Sequence, residues 1–389
     1  MNAVEPRVSD LSAIDTLIAR ELAPRVTAID LEGEYPEAFL RAAGQLGAFA
    51  GVVAPEFGGS GKGIADTIAQ MAKIGETCLS TAFTHWCQTA CARYIQLSDN
   101  AAAKAEFLPA LASGRQLGGT GLSNTFKSCC EIERFLLTAK RVEGGYEING
   151  TLPWVSNLGD DHIFVTGCPV DGDGRLLFFI VQCKQPGFKL VDGAHFTALE
   201  GTRTLACQFR NVRIADSRVL AHPEQSTEYL QRIQPGMILA QLGMGIGLIR
   251  DCIRLIDSAG RTHQHINCYE DDQADELRAA LAGAEAEVFR LASVLDAGTR
   301  PEDFPELFLA VLHIRLAGGE LSLRAANAAM LHQGARGYLR TAAAQRRLRE
   351  AYFVAIVTPS LKHLRREIER RMKLNGATTD ASPCGVEHG

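Results

Sequence analysis

The chain has 389 residues, 40 of them basic and 45 acidic, for a formal net charge of −5 at pH 7. That length predicts two or three domains with ample core, and the balance of charge leaves no nucleic-acid footprint. No run approaches the roughly 18 consecutive apolar residues of a membrane span, and the polar opening MNAVEPRVSD does not read as a secretory signal, so a soluble, cytoplasmic protein is expected.

Residues 1–115 read as an all-α domain. Leu11, Ile14, Leu17, Ile18 and Leu22 recur at helical spacing, and a second helix beginning near Pro36 carries Phe39, Ala42, Ala43 and Leu46. The breaker-rich run 53–61, VAPEFGGSG, lacks the lysine-threonine end of a P-loop and reads as a structural turn. Ile64, Ile68, Met71 and Ile74 mark another helix, and one more spans about 80–97. From 116 to 220 the hydrophobic period moves towards two, with candidate strands at 136–142, 163–167, 176–182 and 207–214. Asp171-Gly172-Asp173-Gly174 is a turn, with too few carboxylates for a calcium loop. Helical periodicity returns over 221–373, nearly continuous apolar and glycine at 237–249, and the small polar stretch 374–389 is expected to be disordered. The fold class is therefore α+β: a helical domain, a middle β domain built as a barrel or sandwich, and a C-terminal helical bundle.

Within the β domain, Tyr146 and Ile148 alternate with polar neighbours, and Asn149-Gly150 offers the positive-φ pair of a two-residue hairpin turn. The strand expected after it ends in Trp154-Val155-Ser156-Asn157. Period two puts the indole and the Ser156 hydroxyl on one side, which suits one face and one edge of a planar heterocycle. A core tryptophan followed by turn-forming residues fits the same pattern.

The run GYEINGTLPWVSN, 145–157, resembles the "GYxLNGxKxWITN" segment of the acyl-CoA dehydrogenase superfamily. Other likenesses follow in the family's order: 53–61 to "VPExYGGxG", 107–114 to "YLPxLASGE", Thr204, Phe209 and Val212 to "TxxxxFxxVxVP", and 332–338 to "xxGGxGY". Together they span about 46–371. The resemblance implies the three-domain fold, with a four-helix bundle as the third domain, and FAD as cofactor. Trp154 would cover one face of the flavin and Ser156 would donate to its N5. The backbone at Leu122 and Ser123 would bond the pyrimidine edge. Arg261 would hold a pyrophosphate, and Gly334 and Ala335 would admit the FAD of a partner chain in a homotetramer or homodimer. A small-molecule substrate such as an acyl-CoA is implied, with a separate electron acceptor or flavin reductase.

The departures are equally specific. Where the family reads Thr-Glu-Pro-x-x-Gly-Ser-Asp, this chain reads SNTFKSCC from Ser123 to Cys130, and no phenylalanine-glycine pair follows Arg261. Aligning Arg349-Glu350-Ala351 with the "RDA" of "RDAKxxxIYEGTSEI" places Thr358 where the family keeps its catalytic glutamate, and no acid lies between Ala351 and Arg366. The alternative site on the helix after the β domain has no acid between Tyr229 and Arg250, and Met237 falls near the expected spot. Abstraction of an α-proton needs a carboxylate within hydrogen-bond reach, so the usual chemistry should be impaired. Three activities fit: an FAD-dependent oxidoreductase acting on a CH–CH bond, a monooxygenase of the same fold using reduced flavin and oxygen, and a non-catalytic ligand-binding relative. His363 is either an alternative proton acceptor or an exposed residue on a basic helix. The arginines at 346, 347, 349, 365, 366, 370 and 371 read as a solvated or subunit-facing surface with acidic partners, or as a phosphate site.

Eleven cysteines, scattered except for Cys129-Cys130, read as reduced thiols rather than a disulfide framework, and Cys129 and Cys130 as small packing residues. His263, His265, Cys268, Glu270, Asp271 and Asp272, in a polar loop, follow no metal-ligand spacing and read as solvated residues or flavin neighbours, so no metal is expected.

Overall fold

The computed structural model describes residues 11–298 and 300–379. Six helices come first: α1 (Leu11–Leu17), α2 (Val26–Leu31), α3 (Glu37–Gln45), α4 (Gly63–Thr77), α5 (Leu79–Gln96) and α6 (Ala101–Ala112). The spacing that predicted α4 buries Ile64, Ile68, Met71 and Ile74 completely. Its orphan first-turn amides are met by the Asp296 carboxylate, 2.8 Å from the Ile64 nitrogen, where a negative charge also suits the helix dipole. The chain between α1 and α2 is less regular than its pattern implied, with a π-helical turn at Ile18–Leu22 followed by a 3₁₀ turn.

The middle of the chain forms β1 (Gly118–Thr120), then α7 (Ser123–Cys129), then β2 (Leu137–Val142), β3 (Gly145–Val155), β4 (Ile163–Pro169), β5 (Leu176–Gln182), β6 (Phe188–Val191), β7 (Leu205–Ala215) and β8 (Val219–Ala221). They make two four-stranded sheets, ordered β1-β4-β5-β8 and β2-β3-β7-β6. Facing side chains such as Phe164, Phe179 and Val181 from one sheet and Ile148, Phe209 and Val212 from the other share a core, the arrangement of a sandwich. Phe178 and Ile180, on the opposite face of β5, pack into the helical core. A strand covered on both faces needs no polar alternation, which explains the unbroken run Leu176–Val181. β1, β6 and β8 went unseen in the sequence because three or four residues are too few to display a period.

The hairpin lies elsewhere than expected. β2 and β3 are joined at Glu143-Gly144, with Val142 opposite Gly145, and β3 runs unbroken through Asn149-Gly150. Gly150 adopts φ +129° at a register shift between β3 and β7, and a side chain there would overlap the Leu136 carbonyl. Asn149 caps the same irregularity, its Oδ1 accepting from the Asn211 nitrogen at 2.8 Å. The Asn-Gly pair therefore makes a bulge in place of a turn.

The third part comprises α8 (Ser226–Ala240), α9 (Leu242–Asn267), α10 (Ala274–Ala297), α11 (Phe304–Gln333), α12 (Ala343–Ile356) and α13 (Leu361–Thr379). By length and composition the α8–α9 span could cross a membrane, but 94% of its apolar window is buried inside the protein. His263 and His265 lie in the last turns of α9 and not in a loop. α13 continues to Thr379, into the stretch expected to be disordered; residues 380–389 lie outside the described ones.

The arginine cluster is no uniform surface. Arg349 clamps Asp30 with both guanidinium ends, tying α12 to α2, and Arg347 is fully buried. Arg347 donates to Asp251 at 2.7 Å, to Glu350 at 2.8 Å and to the Glu76 carbonyl, joining α12, α9 and α4. Burial alone would raise the Asp251 carboxyl; Arg347 and Arg254 outweigh it and hold the group below the usual carboxylate range. Arg347→Met removes the buried cation shared by Asp251 and Glu350, leaving them Arg254 and Arg346, and should destabilise the fold by about 3 kcal/mol near neutral pH. A carboxyl with a depressed native pKa contributes stability above its unfolded value and loses it as pH falls through the native one. The variant lacks that contribution, so its deficit in chemical denaturation should hold from pH 7 to about pH 4 and narrow only below that, as the native carboxyl takes up its proton. An unchanged deficit would show that Asp251 is insensitive to Arg347.

Candidate functional site

The end of β3 is where the first helical part meets the sandwich. Trp154 is 56% exposed at the strand end, with Phe196 edge-on to it, ring centroids 6.1 Å apart. Two residues on, Ser156 bridges to Thr120 of β1, and a side chain on Gly119 would overlap the Ser156 carbonyl. The Ser156 hydroxyl lies 2.6 Å from Thr204 Oγ1, which lies 2.8 Å from Thr202 Oγ1, and Thr202 Oγ1 donates to the Leu199 carbonyl at 2.7 Å.

Asn157 holds this turn. It is fully buried with φ +63°, a left-handed conformation that asparagine tolerates better than most residues. Its side chain accepts from the Tyr35 hydroxyl at 2.6 Å and donates to the Gly118 carbonyl at 2.7 Å. Its backbone nitrogen donates to the Thr202 carbonyl and its own carbonyl accepts from His162 Nδ1, both at 2.9 Å. Arg203 lies over the Tyr35 ring at 3.9 Å and pairs with Glu37, and burial raises the Tyr35 hydroxyl well above its ordinary value. The phenol therefore stays a donor.

A second cluster unites residues far apart in sequence. Thr358, in the loop between α12 and α13, lies hydroxyl to hydroxyl with Ser123 at the start of α7, 2.7 Å apart. Leu122 beside it is fully buried and offers only its backbone. The Thr358 carbonyl accepts from Gln241, the residue that separates α8 from α9, and Gln241 in turn accepts from Arg315 at 3.0 Å. Arg315 is fully buried with no carboxylate partner among the described residues, and burial pulls it down to about 10. Beside this loop lies a cavity of about 20 Å³, lined by Phe126, Met237, Phe308, Leu312, Pro359 and His363 among others. His363 is buried, not exposed as one reading of its basic helix supposed, and burial lowers its pKa. The carboxylate in that lining, Glu367, would be raised by burial, but Arg370 and Arg371 bind it and hold it below the usual range.

Arg261, Gly334 and Ala335 form a separate, exposed group. Gln333 donates to the Leu255 carbonyl and Asn267 to the His332 carbonyl, so this stretch of α9 lies against the end of α11. Gly334 has φ +55° and nothing within 4 Å of where a side chain would begin. Among the described residues no hydrogen bond, ion pair or ring contact joins this group to Trp154 or Ser156. Ile266, Tyr269, Leu331, Tyr338 and Leu339 are exposed apolar neighbours in sequence. Burial raises both adjacent thiols, Cys130 to about 11, so neither is activated, although Cys129 is exposed and not the packing residue expected.

Sequence reasoning missed Tyr35, Gln241 and Arg315, whose side-chain hydrogen-bond partners are 39 or more residues away. It named Thr204 only as a position in a family motif.

Comparison with known proteins agrees with this architecture. The family profile "Acyl-CoA dehydrogenase, N-terminal domain" matches residues 11–115. The chain is 25% identical over 348 residues to the probable acyl-CoA dehydrogenase YngJ of Bacillus subtilis (strain 168), covering 87% of this chain and 90% of that protein. Butyryl-CoA dehydrogenase from Megasphaera elsdenii superposes with a TM-score of 0.81 at 17% identity, covering 95% of this chain and 96% of its own. Dibenzothiophene monooxygenase (TdsC) from Paenibacillus sp. A11-2 superposes at 0.78 and 19% identity, covering 92% and 96%. With the motif order, the two-sheet middle and the helical flanks all in agreement, the chain belongs to the acyl-CoA dehydrogenase superfamily.

Proposed function

We propose that this protein is an FAD-dependent oxidoreductase that acts on a compact substrate without the family's carboxylate base. The open indole face of Trp154 beside the Ser156 hydroxyl fits a planar, hydrogen-bonding ring, and the close approach of β1 at Gly119 leaves the strand end clear of side chains there. FAD supplies the acceptance and release of electrons, while the chain orients substrate and excludes water. Trp154 covers the ring and Ser156 meets its N5 edge, with the backbone at Leu122 and Ser123 on the pyrimidine side. Arg261, with Gly334 and Ala335, serves the cofactor of a neighbouring subunit, consistent with their separation from Trp154 in one chain.

The observation that carries this reading is the Thr358–Ser123 hydroxyl pair. A threonine hydroxyl is a far weaker base than a carboxylate, and Glu367, the acid nearest in the lining, is tied up by two arginines. Relatives named as acyl-CoA dehydrogenases support an acyl-CoA-like substrate, but the cavity of about 20 Å³ holds little more than one water. A monooxygenase reaction with reduced flavin and oxygen is a second reading, favoured because it removes no α-proton. A non-catalytic role is the outcome if neither reaction occurs.

Three measurements test this. Titration of apo-protein with FAD by fluorescence should show binding, weakened in Trp154→Ala/Ser156→Ala; unchanged affinity in that double variant would remove the anchor of the proposal. Sedimentation should show a dimer or tetramer at micromolar concentration; a monomer with full flavin occupancy would contradict the assignment of Arg261, Gly334 and Ala335. Simple acyl-CoA esters, long chains above all, should bleach the bound flavin slowly or not at all, since loss of the base costs about 10²–10⁴-fold. Rapid bleaching by a saturated acyl-CoA would return the protein to the ordinary dehydrogenases. Labelled oxygen appearing in a product when reduced flavin is supplied would favour the monooxygenase.

A further inference from the structure

The hydroxyl row behind Trp154 has a direction, and that direction decides what Ser156 offers a ligand. A serine or threonine hydroxyl carries one proton and can donate once. Thr202 Oγ1 spends its proton on the Leu199 carbonyl, which can only accept, at 2.7 Å. At the 2.8 Å contact between Thr202 and Thr204, the proton must therefore come from Thr204. At the 2.6 Å contact between Thr204 and Ser156, it must then come from Ser156. Ser156 is left with lone pairs and no free proton. Thr202 is fully buried, so water does not readily replace the carbonyl that anchors the row.

We propose that Thr202 and Thr204 are positioning residues that hold the Ser156 hydroxyl as an acceptor, so that the site prefers reduced flavin, which carries a proton at N5, over oxidised flavin, whose N5 can only accept. This rests on the reading above that Ser156 meets the N5 edge, and it reverses the donor role that the family resemblance implies for that hydroxyl. Turning the row around would cost the Thr202–Leu199 bond, about one neutral hydrogen bond, which corresponds to a bias of up to about tenfold. Such a preference would suit a protein that receives its flavin already reduced.

The test is the redox potential of the bound cofactor. Preferring the reduced form raises that potential. Thr204→Val removes the acceptor that consumes the Ser156 proton, which can then be donated to oxidised N5. In protein reconstituted with FAD, the variant should bind oxidised FAD up to about tenfold more tightly, and its two-electron potential should fall by about 30 mV for that factor. Thr204→Ser keeps the hydroxyl and should keep the native potential. On a Ser156→Ala background, Thr204→Val should shift nothing, an outcome that a purely structural role for Thr204 would not give. Thr202→Val frees the row from its anchor and should move the potential downward too, providing the reading if Thr204→Val does not fold. No shift, or an upward one, in a folded, flavin-loaded variant overturns the inference. If the native protein fails to bind FAD, or Trp154→Ala leaves its affinity unchanged, the cofactor reading itself falls.

Discussion

Asn157 is the residue on which the site's geometry depends. A buried side-chain amide is costly unless its donors and acceptor are met, and here Tyr35 of the first helical segment and Gly118 of β1 meet them. The same residue takes a left-handed turn that stops β3 and delivers Ser156 to the row of threonines. Three separately coded segments are thereby fastened within one residue of the serine. Arg203 and Glu37 add charge around the Tyr35 ring, and Arg41 links Glu37 to Asp161 across the same junction. The network is a hinge-pin between the helices and the sandwich.

The Thr358 side of the site is held by a different logic. Arg315 sits without a carboxylate in the core and donates to Gln241 and to the Val354 carbonyl. Two neutral acceptors satisfy part of its fork, and Gln241 passes the constraint to the Thr358 carbonyl. A cation buried in this way costs free energy that apolar packing would not. Its return is geometric: the break between α8 and α9 and the loop between α12 and α13 are fixed to each other. Contrast Arg347, compensated by two carboxylates, which serves cohesion between helices and has no link to Thr358.

Cofactor readings and chain architecture bear on each other through the exposed residues. Trp154 lies open at one place and Arg261 with Gly334 at another, and each group has exposed apolar side chains beside it in sequence, Phe196 for the first and Leu331, Tyr338 and Leu339 for the second. Under the proposed function these are two parts of one cofactor site. A pair of chains would complete such a site between them, which is the physical content of the proposed oligomer.

Much of this was legible in the residues themselves. Helical spacing at Ile64, Ile68, Met71 and Ile74 gave α4 with its buried face, because a period of 3.6 is a local property. The run at 176–182 gave β5, and Trp154 with Ser156 could be paired by strand alternation alone. The absence of an acid from 352 to 365 needed only reading. Asn149-Gly150 misled, since positive φ serves a bulge as well as a turn, and which of the two forms depends on the opposing strand β7. Strands of three residues, the burial of Arg347 and His363, the Tyr35–Asn157 bond and the Ser123–Thr358 contact were decided only by tertiary structure. Each is a relation between segments far apart in the chain, and neither spacing nor composition encodes which distant donor will meet a given acceptor. The direction of the Ser156 proton is the extreme case, set by a carbonyl 43 residues onward through two intervening hydroxyls.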